Sequence, residues 1–199
     1  TEEGVQRFLR DLRSKCRRNN IKIQLKNSKT VDSGEGIRCM GYFCASNGGG
    51  ELIVAKRSPH WLSILCHESC HLDQYLENSI LWRREDAFGN LILDDWLLGK
   101  EVENLRKAIN RIQSLELDCE KRTIKKIAYY DLPVNTITYI QKANAYIFYY
   151  NYVYEVRRWV PNSYDDPAVY LKMRSRFMND SYYRKLPNKV RKIFLDMGL

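Results

Sequence analysis

His67-Glu68-Ser69-Cys70-His71 is the stretch on which the reading of this chain turns. Residues four apart share one face of a helix, so both imidazoles can grip a single ion. Glu68 then stands beside that ion, where a carboxylate can take a proton from an attacking water. The chain has three histidines, and two of them fall in this run. The rival is two surface histidines on an unrelated helix. The pattern predicts a zinc hydrolase site, with a peptidase the first expectation.

Projected at 100° per residue, Trp61, Ile64, Leu65, Leu72, Tyr75 and Leu76 form one apolar stripe. His67 and His71 lie along its edge with Gln74 next to them, and Glu68 falls between them and the stripe. Cys66, Cys70 and Asp73 project to another side, where packing or surface roles are expected. Ser58-Pro59 supplies an N-cap residue followed by a proline suited to the first helical position.

A catalytic zinc takes three protein ligands and keeps one position open. His60 precedes the motif and no histidine follows His71, so the third ligand is a carboxylate or Cys119. The richest candidate is Leu115-Glu116-Leu117-Asp118-Cys119-Glu120. Glu116 and Glu120 project into an apolar arc of Ile112, Leu117, Ile124, Ile127 and Ala128, with Asp118 opposite among Lys121, Arg122 and Lys125. A carboxylate on an apolar face is costly unless paired or bound to a cation. A metal ion answers that cost; basic partners such as Arg157 or Arg158 would answer it equally. Glu85, Asp86, Asp94 and Asp95 are weaker rivals, because nothing turns them inward.

Working outward, Val5, Phe8, Leu9, Leu12 and Cys16 mark a helix over 2–17, and Ile21 to Leu25 alternates as a strand. Turn residues around Asp32 to Gly36 lead to strands at Ile37–Ala45 and Glu51–Lys56, joined by the turn Ser46-Asn47-Gly48-Gly49-Gly50. That glycine run lacks the Gly-Lys-Ser/Thr ending of a phosphate loop. Beyond the motif come a short helix within 77–100, closed by Gly99, and a long helix from Glu101 to about Tyr130, stopped by Leu132-Pro133. A helix from Asn135 to Trp159 and shorter ones near 167–178 and 187–197 complete the chain. The expected fold class is α+β, with a small, mainly antiparallel sheet and a helical C-terminal half. With 199 residues, 44% of them hydrophobic, a single domain is expected. It comprises 1–56 (N-terminal helix and sheet), 57–130 (metal-site helices) and 131–199 (an aromatic, basic helical lobe).

No apolar run is long enough for a membrane span, and the N-terminal stretch has no secretory h-region. The six cysteines (Cys16, Cys39, Cys44, Cys66, Cys70, Cys119) are irregularly spaced, so reduced, mostly buried thiols in a cytoplasmic protein are expected. Cys39-x4-Cys44 has no second ligand pair nearby to complete a metal site.

The run His67-Glu68-x-x-His71, followed by Glu116-x-x-x-Glu120 on a later helix, resembles the gluzincin branch of zinc peptidases over about residues 51 to 128. The stretch Glu116 to Arg122 is also similar to uncharacterised phage-encoded peptidases, which would place the protein in a host cytoplasm. The resemblance implies that His67, His71 and Glu116 bind one zinc ion and that Glu68 is the general base. Glu120 would orient a ligand imidazole, or be the third ligand itself; glutamate stands there where the family commonly has aspartate. It further implies that a sheet-edge strand, here Glu51, Leu52, Ile53 and Val54, pairs with an extended protein or peptide substrate. An oxyanion-stabilising side chain is also implied, but 14 tyrosines offer no unique choice.

The 33 Lys and Arg against 24 Asp and Glu give a formal charge of +9, which favours acidic partners. Tyr139 to Trp159 is crowded with aromatics, and Arg157, Arg158, Lys172, Arg174, Arg176, Arg184, Lys185, Lys189, Arg191 and Lys192 follow. Interleaved aromatic and basic residues suit single-stranded nucleic acid; a core helix beside a solvated basic face is the plainer reading.

Overall fold

The computed structural model describes residues 1–34, 38–46, 48–161 and 163–198, the side chains of 84–89 excepted. The chain is α+β and divides into two compact units, Thr1–Asn78 with Arg122–Val134, and Ser79–Lys121 with Asn135–Leu199. No helix among the described residues is long and apolar enough to cross a membrane.

In the first unit, α1 (Glu2–Arg18) buries Gly4, Phe8, Leu12 and Cys16 at four-residue intervals, and the Thr1 hydroxyl caps it by accepting from the Gly4 N–H at 3.1 Å. A side chain at Gly4 would run into the backbone oxygen of Tyr130, so glycine permits this close approach. Strands β1 (Ile21–Lys26), β4 (Gly41–Ser46) and β5 (Gly49–Ala55) form a sheet of order β1-β5-β4. Between them β2 (Val31–Asp32) and β3 (Arg38–Cys39) make a two-residue antiparallel ladder. Gly48, at φ +82°, turns the chain from β4 into β5.

Two expectations about this sheet are corrected. It is mixed rather than mainly antiparallel: β1 runs parallel to β5 from Ile21↔Gly50 to Lys26↔Ala55, and β4 antiparallel from Gly41↔Val54 to Ser46↔Gly49. And Glu51, Leu52, Ile53 and Val54 are not an edge. They lie on the central strand, hydrogen-bonded on both sides, so no substrate strand can add there. The buried run Leu52, Ile53, Val54 and Ala55 is the mark of a covered central strand. The edges are β1 and β4.

Helix α2 (Trp61–Leu76) carries the motif and packs on β4 and β5. It begins two residues later than the Ser58-Pro59 signal suggests. Ser58 is buried, its carbonyl accepts from Trp61 N–H and its hydroxyl from His60 N–H, making a turn before the helix. The buried residues of α2 include Cys66, Ser69 and Cys70 as well as Leu62, Leu65 and Leu72. The face assigned to packing or surface roles is therefore interior, apart from half-buried Asp73. Part of helix α4 (Leu105–Tyr130) covers it: Thr123 hydrogen-bonds the Cys70 sulfur, its carbonyl lies 3.8 Å from the Cys66 sulfur, and Lys126 reaches Ser69 and Asp73 at 2.8 and 2.7 Å.

In the second unit, α5 (Thr136–Val156) is buried almost all round from Ala143 to Val153, the mark of a central helix. Asn135 caps it, and Arg157 ends it in the left-handed region. Its core is aromatic: Phe148, Tyr149, Tyr152, Tyr183 and Phe194 pack with Ile109, Ile112, Leu117 and Ile147. Around it lie α3 (Arg84–Leu97), α6 (Pro167–Tyr170) and α7 (Asn188–Asp196). The helix expected over 167–178 stops after Tyr170. Side-chain amides of Gln141 and Asn144 capture the carbonyls of Leu171, Met173, Arg174 and Arg176 that a continuing helix would use itself.

Candidate metal centre

On α2 the two imidazoles sit one turn apart with their Nε2 atoms 3.1 Å from each other and their rings at 85°. Two imidazole nitrogens on one tetrahedral zinc stand about 3.3 Å apart, given Zn–N bonds of about 2.0–2.1 Å. The nitrogens thus converge as they do on a shared ion. His71 Nδ1 lies 2.8 Å from Gln74 Oε1, and Gln74 is fully buried. An Nδ1–H donated to that amide oxygen leaves the Nε2 lone pair as the ring's donor, which is the tautomer a metal requires.

Cys119 offers a third ligand atom. It lies on α4 one turn before Thr123, the residue that touches Cys66 and Cys70 of α2, and α4 is unbroken between them. The ligand atoms of His67, His71 and Cys119 all fall within 4.8 Å of one another, His71 and Cys119 buried and His67 half-buried. Two imidazoles and a thiol are a donor set that can hold a metal ion. Glu68 is half-buried. Its carboxylate is among the charges acting on the Cys39 thiol of β3, which burial above all pushes upward.

The wheel's expectation that Glu116 and Glu120 turn inward is met: they are 8% and 5% exposed. Neither belongs to the His67–His71–Cys119 group. Within the second unit Glu116 keeps company with tyrosines. Burial first, then the Glu116 charge, holds the Tyr146 and Tyr150 hydroxyls well above their ordinary value; Tyr164 is raised by burial and then by Asp165, with Glu116 and Glu120 contributing less. Tyr146 and Tyr150 share a hydroxyl–hydroxyl hydrogen bond of 2.6 Å. Arg157 and Arg158 are not the counterions of these carboxylates. Both are exposed and donate to backbone carbonyls of Trp96, Lys100 and Gly198.

The remaining candidates lie apart. His60 is exposed at the start of α2, and Asp95 pairs with Lys100 at 2.6 Å beside exposed Asp94. The side chains of Glu85 and Asp86 fall outside those described. Cys39 is half-buried and Cys44 exposed, and among the described residues they form no ligand group. Gln74 is the residue whose part the motif did not disclose, although its place three positions after His71, on the same helix face, was the available signal. Cys119 was second to Glu116 because projecting α4 alone does not tell which of its faces meets α2.

Comparison with protein-family models, with curated proteins and with solved structures finds no match for this chain.

Proposed function

We propose that the protein is a zinc-dependent hydrolase acting on peptide bonds, zincin-like in its His-Glu-x-x-His helix but with a thiol where the gluzincin pattern has a carboxylate. The observation that carries this reading is the convergence of the two Nε2 atoms, 3.1 Å apart, with the Cys119 sulfur in the same group and Glu68 next to the first ligand in sequence. His67, His71 and Cys119 hold the ion, Glu116 being the rival third ligand. When bound, zinc supplies a Lewis acid and a water acidified towards neutrality. Glu68 takes the proton from the attacking water and passes it to the leaving amine. Gln74 fixes the His71 ring, the orienting task first expected of Glu120. The edge strand β4, rather than β5, is where an extended substrate can add main-chain hydrogen bonds.

Glu68→Gln tests the reading. The amide keeps the shape of the side chain and cannot accept the proton. Turnover of an unstructured protein such as casein is expected to fall about 10²- to 10⁴-fold with zinc content unchanged. Zinc retained with equal turnover in both proteins would show that Glu68 is not the base. Zinc with no cleavage by either would point to a binding module with a structural metal.

A further inference from the structure

In the second unit, the chain after α6 carries Lys172, Arg174 and Arg176 at every second position, all exposed, with buried Met173 between the first two. Other cations of this unit have carboxylate partners: Lys142 with Asp165, Lys121 with Asp180, and Arg191 with Glu155. Lys172, Arg174 and Arg176 make no ion pair among the described residues. The segment is held in place from beneath. Gln141 Nε2 donates to the carbonyls of Leu171 and Met173 at 3.3 and 3.1 Å. Asn144, fully buried, donates to those of Arg174 and Arg176 at 2.7 and 3.0 Å. The Met178 N–H is bound by the Tyr183 hydroxyl, which in turn donates to Asn144 Oδ1.

Three like charges within five residues repel one another, and a loop left loose would spread them apart. Here the amides of half-buried Gln141 and buried Asn144 fix the backbone instead, so the charges stay concentrated and little ordering remains to be lost on binding. The Arg174 guanidinium lies over the Tyr182 ring, 5.2 Å from its centroid, and that ring is 39% exposed. A cationic ridge beside an aromatic face matches the chemistry of a phosphodiester backbone with its bases. A bilayer surface fits less well, because the only large apolar side chain exposed in the segment is Leu171, too little to anchor in lipid.

We propose that Lys172, Arg174 and Arg176 form a preorganised docking ridge for the phosphate backbone of nucleic acid. The ridge is independent of any metal. The test is therefore run on the full chain in chelator, by fluorescence anisotropy of a labelled single-stranded oligonucleotide across a potassium chloride series. The combined Lys172→Gln, Arg174→Gln and Arg176→Gln variant is expected to bind at least about tenfold more weakly at low salt. Its slope of log affinity against log salt should be shallower by about 2, at roughly 0.7 per lost single-strand phosphate contact. A control with the same charge change in α1, Arg13→Gln, Arg17→Gln and Arg18→Gln, is expected to stay within about twofold of the parent. Equal weakening in both variants, no salt-dependent binding at all, or binding to phosphatidylserine vesicles without binding to the oligonucleotide would each overturn the proposal.

Discussion

At the scale of single residues, the site depends on which nitrogen of His71 carries its proton. The Gln74 amide oxygen, 2.8 Å from Nδ1, holds that proton on the far side of the ring from His67. Orienting partners of this kind typically contribute about 10- to 100-fold in metal affinity. Gln74→Leu should therefore weaken zinc binding by about that factor in competition with a chromogenic chelator, while Gln74→Glu, which keeps an acceptor, should recover most of it. If Gln74→Leu binds zinc as tightly as the parent, the amide does not orient the ring. The motif residues themselves were legible because the i, i+4 rule needs only a helix. The place of Cys119 beside them was not, because a wheel drawn for α4 alone does not tell which of its faces meets α2 and shows Glu116 and Glu120 as the buried carboxylates.

At the scale of elements, α2 is held between the sheet and the later turns of α4, and Asp73 ties the arrangement together. It accepts from Lys15 of α1 at 2.6 Å and from Lys126 of α4 at 2.7 Å, and only 14% of the Asp73 side chain is exposed. Asp73→Asn leaves Lys126, itself 16% exposed, short of its counter-charge, at a cost of about 2–3 kcal/mol in urea unfolding. No loss of stability would mean that the pair is solvent-screened. Some helix boundaries follow local signals, Asn135 opening α5 and Leu132-Pro133 following the end of α4, whereas α4 begins at Leu105 rather than Glu101 and α5 ends at Val156 rather than Trp159. What failed did so where long-range contacts override local preference. The central position of β5 follows from the parallel pairing with β1, invisible in either strand alone. The end of α6 follows from amides of Gln141 and Asn144 that lie some thirty residues earlier.

At the scale of the whole chain, the expectation that most thiols are buried is met by Cys16, Cys66, Cys70 and Cys119, while Cys44 is exposed. Exposed Cys44 should react first with a thiol reagent in the native protein, and equal reaction of all six would contradict the buried placements. Burial pushes the Cys16 thiol from 9.0 up to about 11. Because the folded value is raised, the neutral thiol contributes stability below pH 9, and that contribution is lost as pH rises towards 11. Cys16→Ala should flatten this alkaline decline. The aromatic richness of α5 has the plainer of its two readings: Phe148, Tyr149 and Tyr152 are core, not stacking platforms. The basic residues that remain available lie beyond that helix.

The proposed chemistry requires a metal ion gripped by two imidazoles and a thiol. Elemental analysis of the untagged protein, purified without chelator, tests it most directly. One zinc per chain is predicted, with near-complete loss in His71→Ala, marked loss in Cys119→Ser and retention in Glu116→Gln. No zinc above the buffer blank, or the same zinc content in His71→Ala as in the parent, would contradict it; loss in Glu116→Gln with retention in Cys119→Ser would transfer the third bond to the carboxylate.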